Sequence, residues 1–174
     1  EYYPRYFPRL LEEYRKYPLD YLIWAGHYIG NEGTEGCFCG FDRTDDMGRM
    51  RAYVDTAITA MNTGRFSIIA HPDMINFVGD RDFYRQEVAR LVREAKRLSI
   101  PLEINLNGIR DKRYYPCDDF WRVAGAIGAS AVIGFDAHQV AHVADRAEMI
   151  AGMRYAEKFG INLVDEVRLR DPKF

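Results

Sequence analysis

Apolar residues recur along this chain as short runs separated by longer stripes at helical spacing. The runs are Tyr21 to Ala25, Phe66 to Ala70, Leu102 to Leu106, Ala131 to Phe135 and Ile161 to Val164. Each is brief, rich in branched or aromatic side chains and bounded by turn formers, which predicts a buried strand. Between them, Met50, Tyr53, Val54, Ala57, Ile58 and Met61 fall three and four apart, and so do Val88, Leu91, Val92, Ala95 and Leu98. That spacing predicts amphipathic helices. Further helices are expected from Pro8 to about Tyr17, with Leu10, Leu11 and Tyr14 on one face, and from Asp118 to about Gly128. A last one begins with Val143, Ala147, Ile150 and Ala151 and is ended by Gly160. Gly64 is placed to close its helix in a left-handed cap. Asn31 to Gly48 reads as a long loop bearing glycine and aspartate, of the kind that often carries function.

Alternation of strand and helix predicts an α/β fold with parallel strands covered by helices. An open doubly wound sheet and a barrel both fit the pattern. In either one, chemistry gathers at the carboxyl ends of the strands. A barrel ordinarily needs at least ~200 residues, so with about five strands in 174 residues a barrel would be incomplete in this chain.

Composition narrows the partners. The chain is 48% hydrophobic and 29% charged with a formal net charge of −2, the profile of an ordinary globular domain with no pull toward nucleic acid or an anionic membrane. No apolar run approaches the ~20 residues of a membrane helix, and the opening Glu-Tyr-Tyr-Pro-Arg has no signal pattern. Cysteines Cys37, Cys39 and Cys117 are odd in number and scattered, which points to reduced thiols and a cytoplasmic setting. Cys37-Phe38-Cys39 has no second pair at zinc-finger spacing. The arginines and lysines around Val88 to Leu98 are interleaved with glutamates, the mark of a solvated face.

Three of the four histidines sit at the mouth of an apolar run. His27 closes the run that begins at Tyr21, His71 closes Phe66 to Ala70 and is followed by Pro72-Asp73, and His138 follows Ala131 to Phe135 with Asp136 two residues before it. On parallel strands these positions converge on one rim, and histidine with carboxylate at one rim suits a divalent metal centre. In extended backbone Asp136 and His138 would point the same way. Glu103 and Asn105 repeat that spacing on the preceding run. Glu103, flanked by leucine and isoleucine, should be largely buried and orient a neighbour. Arg110, in a loop after Gly108, offers a fork for phosphate. Singly, each has a plainer reading: a strand-end histidine is often a hydrogen-bonded structural residue, Asp73 caps a turn, and Arg110 is a surface residue. His142 is assigned to a helix start with no role, and Tyr2, Tyr3, Tyr6 and Phe7 to packing.

Four segments resemble the PHP (polymerase and histidinol phosphatase) superfamily, most closely its histidinol-phosphate phosphatases. They are Tyr21-Leu-Ile-Trp-Ala-Gly-His-Tyr-Ile29, Ile69-Ala-His-Pro-Asp73, Leu102-Glu-Ile-Asn-Leu-Asn-Gly-Ile-Arg110 and Ile133-Gly-Phe-Asp-Ala-His138. The resemblance implies part of a distorted (β/α)7 TIM-like barrel, a single PHP-type domain over residues 1–174 that is N-terminally incomplete, with the first strands missing. It implies two or three divalent ions in the intact protein. Ligand chemistry alone suits zinc, iron or manganese. By position His27, His71, Asp136 and His138 would be metal ligands, Asn105 and Arg110 would lie near the phosphate, and Glu103 would support them; Asp136, His138 and Arg110 would carry catalysis.

The family's His-x-His pair does not occur before His27. Its bridging glutamate would fall just before residue 1, where Glu1-Tyr2-Tyr3-Pro4 resembles the stretch that follows it. Ala25 and Phe135 stand where the family tends to have serine. The implied activity is hydrolysis of a small-molecule phosphate ester, L-histidinol phosphate in histidine biosynthesis. The alternatives are another PHP phosphoesterase acting on nucleotide-type substrates, a noncatalytic PHP-like domain, and, compatible with the leading reading, an inert fragment of an active enzyme. A sheet edge left open by missing strands would favour self-association, hence a homo-oligomer.

Overall fold

The computed structural model describes residues 1–30, 37–40 and 42–172. In chain order the elements are α1 (Phe7–Tyr14), β1 (Leu22–Ala25), β2 (Tyr28–Ile29), β3 (Cys37–Phe38), α2 (Met47–Asn62), β4 (Phe66–Ala70), α3 (Arg81–Leu98), β5 (Leu102–Asn105), α4 (Leu106–Arg110), α5 (Asp118–Ile127), β6 (Ser130–Gly134), α6 (Arg146–Lys158) and β7 (Asn162–Leu163). Five strands form one parallel sheet in the order β1-β4-β5-β6-β7, while β2 and β3 make a separate antiparallel pair.

Strand order in the sheet follows strand order in the chain. Right-handed crossovers then carry every connecting helix to the same side. A doubly wound sheet would reverse its order at a switch point, and this one does not. Of the two architectures the periodicity allowed, the sheet is therefore the single-wound kind, part of a TIM-like barrel. It ends at β1 on one side and β7 on the other.

Helix positions follow from their caps and stripes. Asp46 opens α2 by accepting from the Gly48 and Arg49 N–H groups, at 2.7 and 3.2 Å. Asp80 opens α3 through Phe83 N–H, and Asp145 opens α6 through Ala147 and Glu148, each satisfying donors the first turn leaves orphaned. Gly64 has φ of 72°, as its cap role requires. The expected stripes are the buried faces: Val54 and Ala57 of α2 and Val92 of α3 meet Ile69, Leu102 and Ile104 of the strands, with Trp121 of α5 closing the layer. Tyr2 and Phe7 pack against Phe66, whereas Tyr6 remains 40% exposed and is not a packing residue.

Several boundaries differ from expectation. The run Leu102 to Leu106 leaves the strand at Asn105, whose side chain accepts from Gly108 N–H at 2.9 Å and starts the short helix α4. Arg110 consequently ends a helix rather than lying in a loop. At Gly108 a Cβ would come within 2.2 Å of the Tyr115 carbonyl oxygen, so the turn admits no side chain there. Val143 is outside α6, beyond a 3-10 turn over Val140–His142, and is 65% exposed. Within the anticipated loop, residues 31–36 and 41 lie outside the described residues, and α2 already begins at Met47. Among the described residues, no helix is long and apolar enough to cross a membrane.

Candidate functional site

Three histidines were expected at the carboxyl rim, and β1, β4 and β6 deliver them there, though on differently shaped backbone. His27 follows β1 after Gly26, where a Cβ would fall 2.5 Å from the Trp24 ring; the chain thus turns tightly over that buried indole. The His27 N–H and Nδ1 both face Glu1 Oε1, at 2.9 and 2.7 Å. The His27 carbonyl accepts from Cys39 N–H, tying the rim to the β2–β3 pair.

His71 follows β4 directly. It is buried, and its backbone has φ of 29°, a left-handed conformation that costs a non-glycine L-residue about 1–2 kcal/mol. Glu103 on β5 holds that backbone in place, accepting from His71 N–H at 2.8 Å. The His71 ring lies edge-on to His27, with centroids 4.8 Å apart. Its Nδ1 is buried without a hydrogen-bond partner. Burial, with His27 beside it, pushes the His71 pKa down to about 4, so the ring is neutral at neutral pH and keeps a lone pair available.

Asp136 is the second strained position, with φ of 44°. The chain turns there, so the extended geometry expected for Asp136 and His138 does not hold. The His138 Nδ1 lies 2.8 Å from the Asp136 backbone oxygen and 3.9 Å from its carboxylate, and the imidazole is 66% exposed. Asp136 Oδ2 accepts from Asn105 Nδ2 and Asn107 Nδ2, both at 3.2 Å. Asn105 also donates to Glu103 Oε2 at 3.1 Å. Glu103 therefore orients its neighbours, as its burial among apolar residues implied, and that burial raises its own pKa.

Arg110 is turned away from open solvent. Its Nη1 donates to Glu148 of α6 at 3.0 Å and its Nη2 donates to Asn107, while Asp111 lies 3.5 Å from Nε. Asp73 is a buried brace beneath the rim. Its Oδ2 accepts from Cys117 N–H at 2.5 Å and Trp121 Nε1 at 3.1 Å, joining the end of β4 to the start of α5. Burial raises its pKa to about 7, and its Oδ1 has no partner.

The rim thus brings His27 and His71 into contact, and places Asp136 close enough for its charge to act on His71. His138 stands beside Asp136. The chemistry of a metal ligand is present in part: a neutral buried imidazole with an unpartnered nitrogen, and a second imidazole backed by a carboxylate, the arrangement that fixes a ligating histidine's tautomer. Yet among the described residues no three His, Cys, Asp or Glu side chains come together so as to hold a metal ion. The donor set fits half a centre. Sequence reasoning missed Glu1, Asn107 and Glu148. Asn107 repeats the two-residue spacing of Glu103 and Asn105, and Glu1 opens the stretch Glu1-Tyr2-Tyr3-Pro4, so both had a signal; Glu148 gave none, because only the fold brings it to the rim.

No protein-family model matches the sequence, and no curated protein matches it either. Among solved structures, the chain is similar to a histidinol phosphate phosphatase from Lactococcus lactis subsp. lactis Il1403, solved with zinc, L-histidinol and phosphate. The TM-score is 0.65 and the identity 16%, over 99% of this chain and 67% of that one. The likeness is one of fold: this sheet and its helices correspond to part of that TIM-like barrel.

Proposed function

We propose that this chain contributes to a metal-dependent phosphomonoester hydrolase whose substrate is L-histidinol phosphate. One observation carries the proposal: the His27–His71 imidazole pair at the carboxyl rim, with Glu1 behind one ring and an unpartnered nitrogen on the other. The fold likeness to a phosphatase solved with zinc supports it. His27 and His71 would hold a divalent ion (zinc, iron or manganese), and Asp136 and His138 would have to move toward them to join its ligands. Such an ion supplies Lewis acidity, making water a nucleophile near neutral pH.

The chain's own residues do the rest. Glu103 fixes His71 by its backbone, and Asn105 holds the Asp136 carboxylate. Burial keeps His71 unprotonated, so no proton competes for its lone pair. Asn105, expected near the phosphate, is 1% exposed with its amide engaged by Glu103, Asp136 and the Gly108 N–H, so it would reach a phosphate only by releasing one of them. Arg110 is engaged by Glu148 and Asn107, and would reach a phosphate only by giving up one of them.

Phosphate release from L-histidinol phosphate, measured beside a nucleotide panel and with metal content determined, tests the proposal. Release from histidinol phosphate in preference to nucleotides is expected. Preference for nucleotides would overturn the substrate, and no release with bound metal would overturn the activity. A noncatalytic domain is the second reading, favoured by the lack of three converging donors among the described residues; it predicts neither metal nor release.

A further inference from the structure

We infer that Glu148, on α6, is a positioning residue for Asp136, acting through Arg110 and Asn107. The inference rests on the proposed function only for the consequence in catalysis; the geometry stands without it. Glu148 accepts from Arg110 Nη1 at 3.0 Å. The other arm of the same guanidinium donates to the Asn107 side-chain oxygen. That leaves the Asn107 amide nitrogen directed at Asp136 Oδ2, 3.2 Å away. Asn105 approaches the same oxygen from the other side at 3.2 Å, and its own amide also reaches Glu103. Six polar side chains from three elements and a rim loop thus form one connected path, running from α6 to the backbone of His71.

The path is fixed in space. Arg110 and Glu148 side chains are each only 16% exposed, so their bond is screened less than a surface pair. An amide has one oxygen and one nitrogen end. With Arg110 on the oxygen of Asn107, the nitrogen must face Asp136, so the guanidinium selects the amide orientation. Arg110 in turn is set by Glu148, whose own place depends on close packing of α6. One turn along that helix, a Cβ on Gly152 would lie 2.8 Å from Leu106 of α4 and 3.2 Å from Ile133 of β6. A glycine there lets α6 settle directly onto the elements that carry Arg110 and Asp136. Nothing in the primary structure pairs Glu148 with the rim.

Side-chain amide resonances of Asn105 and Asn107, recorded by NMR on the isotopically labelled chain, test this without relying on activity. Glu148→Ala should shift both, and Glu148→Gln, which keeps an oxygen for Arg110, should return them most of the way. Glu157→Ala, on an exposed part of α6, should move neither. If Glu148→Ala fails to fold because a half-buried guanidinium is stranded, the Arg110→Ala/Glu148→Ala pair removes that cation and must still shift the Asn107 amide. In steady-state hydrolysis of L-histidinol phosphate, Glu148→Ala should lower kcat about ten- to a hundredfold, the usual cost of losing a supporting group behind a ligand. KM should change less than about twofold, because the interaction orients an existing group rather than binding substrate. Unmoved Asn105 and Asn107 amides in Glu148→Ala would overturn the inference, whatever the kinetics. A wild type that releases no phosphate would overturn the proposed function instead, and shifted amides would still support the positioning path.

Discussion

Gly134→Ala should damage the rim through a residue it does not resemble. Gly134 ends β6 and pairs with Asn105 across the β5–β6 ladder. A Cβ at this position would lie 1.8 Å from Glu103 Oε1 and 2.8 Å from its Cγ. Because the Cγ is also too close, the whole Glu103 side chain must swing, not only its tip. It then loses the His71 N–H at 2.8 Å and the Asn105 amide at 3.1 Å. Stranding one buried N–H costs about 1–3 kcal/mol and losing a second hydrogen bond costs about 1 kcal/mol. Alanine in place of glycine in a strand returns about 0.5–1 kcal/mol. The net destabilisation should be about 1–3 kcal/mol, read from urea unfolding. The decisive comparison is a double-mutant cycle with Glu103→Ala. Once that side chain is gone, Gly134→Ala should be neutral or mildly stabilising, giving a coupling of about 2–3 kcal/mol. An equal cost in both backgrounds, with coupling under about 0.5 kcal/mol, would refute the steric route through Glu103.

Other consequences follow from the same contacts. Asp73→Ala should destabilise by about 2–4 kcal/mol in urea unfolding, since it strands the Cys117 N–H and the Trp121 indole N–H in a buried setting; a loss below about 1 kcal/mol would deny Asp73 its bracing role. Glu94, held by Arg97 and Asn62, has its pKa lowered to about 2. A depressed carboxyl stabilises the fold above its unfolded value near 4.5 and stops doing so as pH falls through about 2. Wild type should therefore exceed Glu94→Gln by about 1 kcal/mol at pH 6, after allowance for surface screening, with the gap closing between pH 4.5 and 2. A gap independent of pH would contradict it. The sheet ends at β1 and β7, and Ile23 on β1 is 45% exposed; size-exclusion chromatography should show self-association, and a clean monomer would count against it.

Much of the architecture was legible because apolar spacing reports burial directly. Val54, Ala57 and Val92 lie on the stripes that helical spacing predicts, Ile104 lies in an apolar run, and all four are inaccessible to solvent. What periodicity lacked was handedness and order, and only the pairing of β1 with β4, then β5, β6 and β7, separates a barrel segment from a doubly wound sheet. At the rim, residue type and strand position point to His27, His71, Asp136 and Asn105, and the fold brings these four to one end of the sheet. Extended-strand reasoning failed one step later. His71 and Asp136 both take left-handed backbone, which no spacing rule anticipates in a non-glycine residue, and the turn at Asp136 leaves the His138 imidazole beside it but 66% exposed. The primary structure suggests a free fork for phosphate at Arg110 because Glu148, which engages it, lies 38 residues further along, on a helix whose approach is set by Gly152. Long-range polar pairing of that kind has no local signature.

We propose that the His27–His71 pair is the working core of a metal-dependent phosphatase. Its most direct test is phosphate release from L-histidinol phosphate before and after chelation, with zinc, iron or manganese then restored, in wild type and in His71→Ala. Chelation should stop release in the wild type, one of these ions should restore it, and His71→Ala should stay inactive with metal supplied. Release that continues under chelation, or that His71→Ala retains in full, would contradict the proposal.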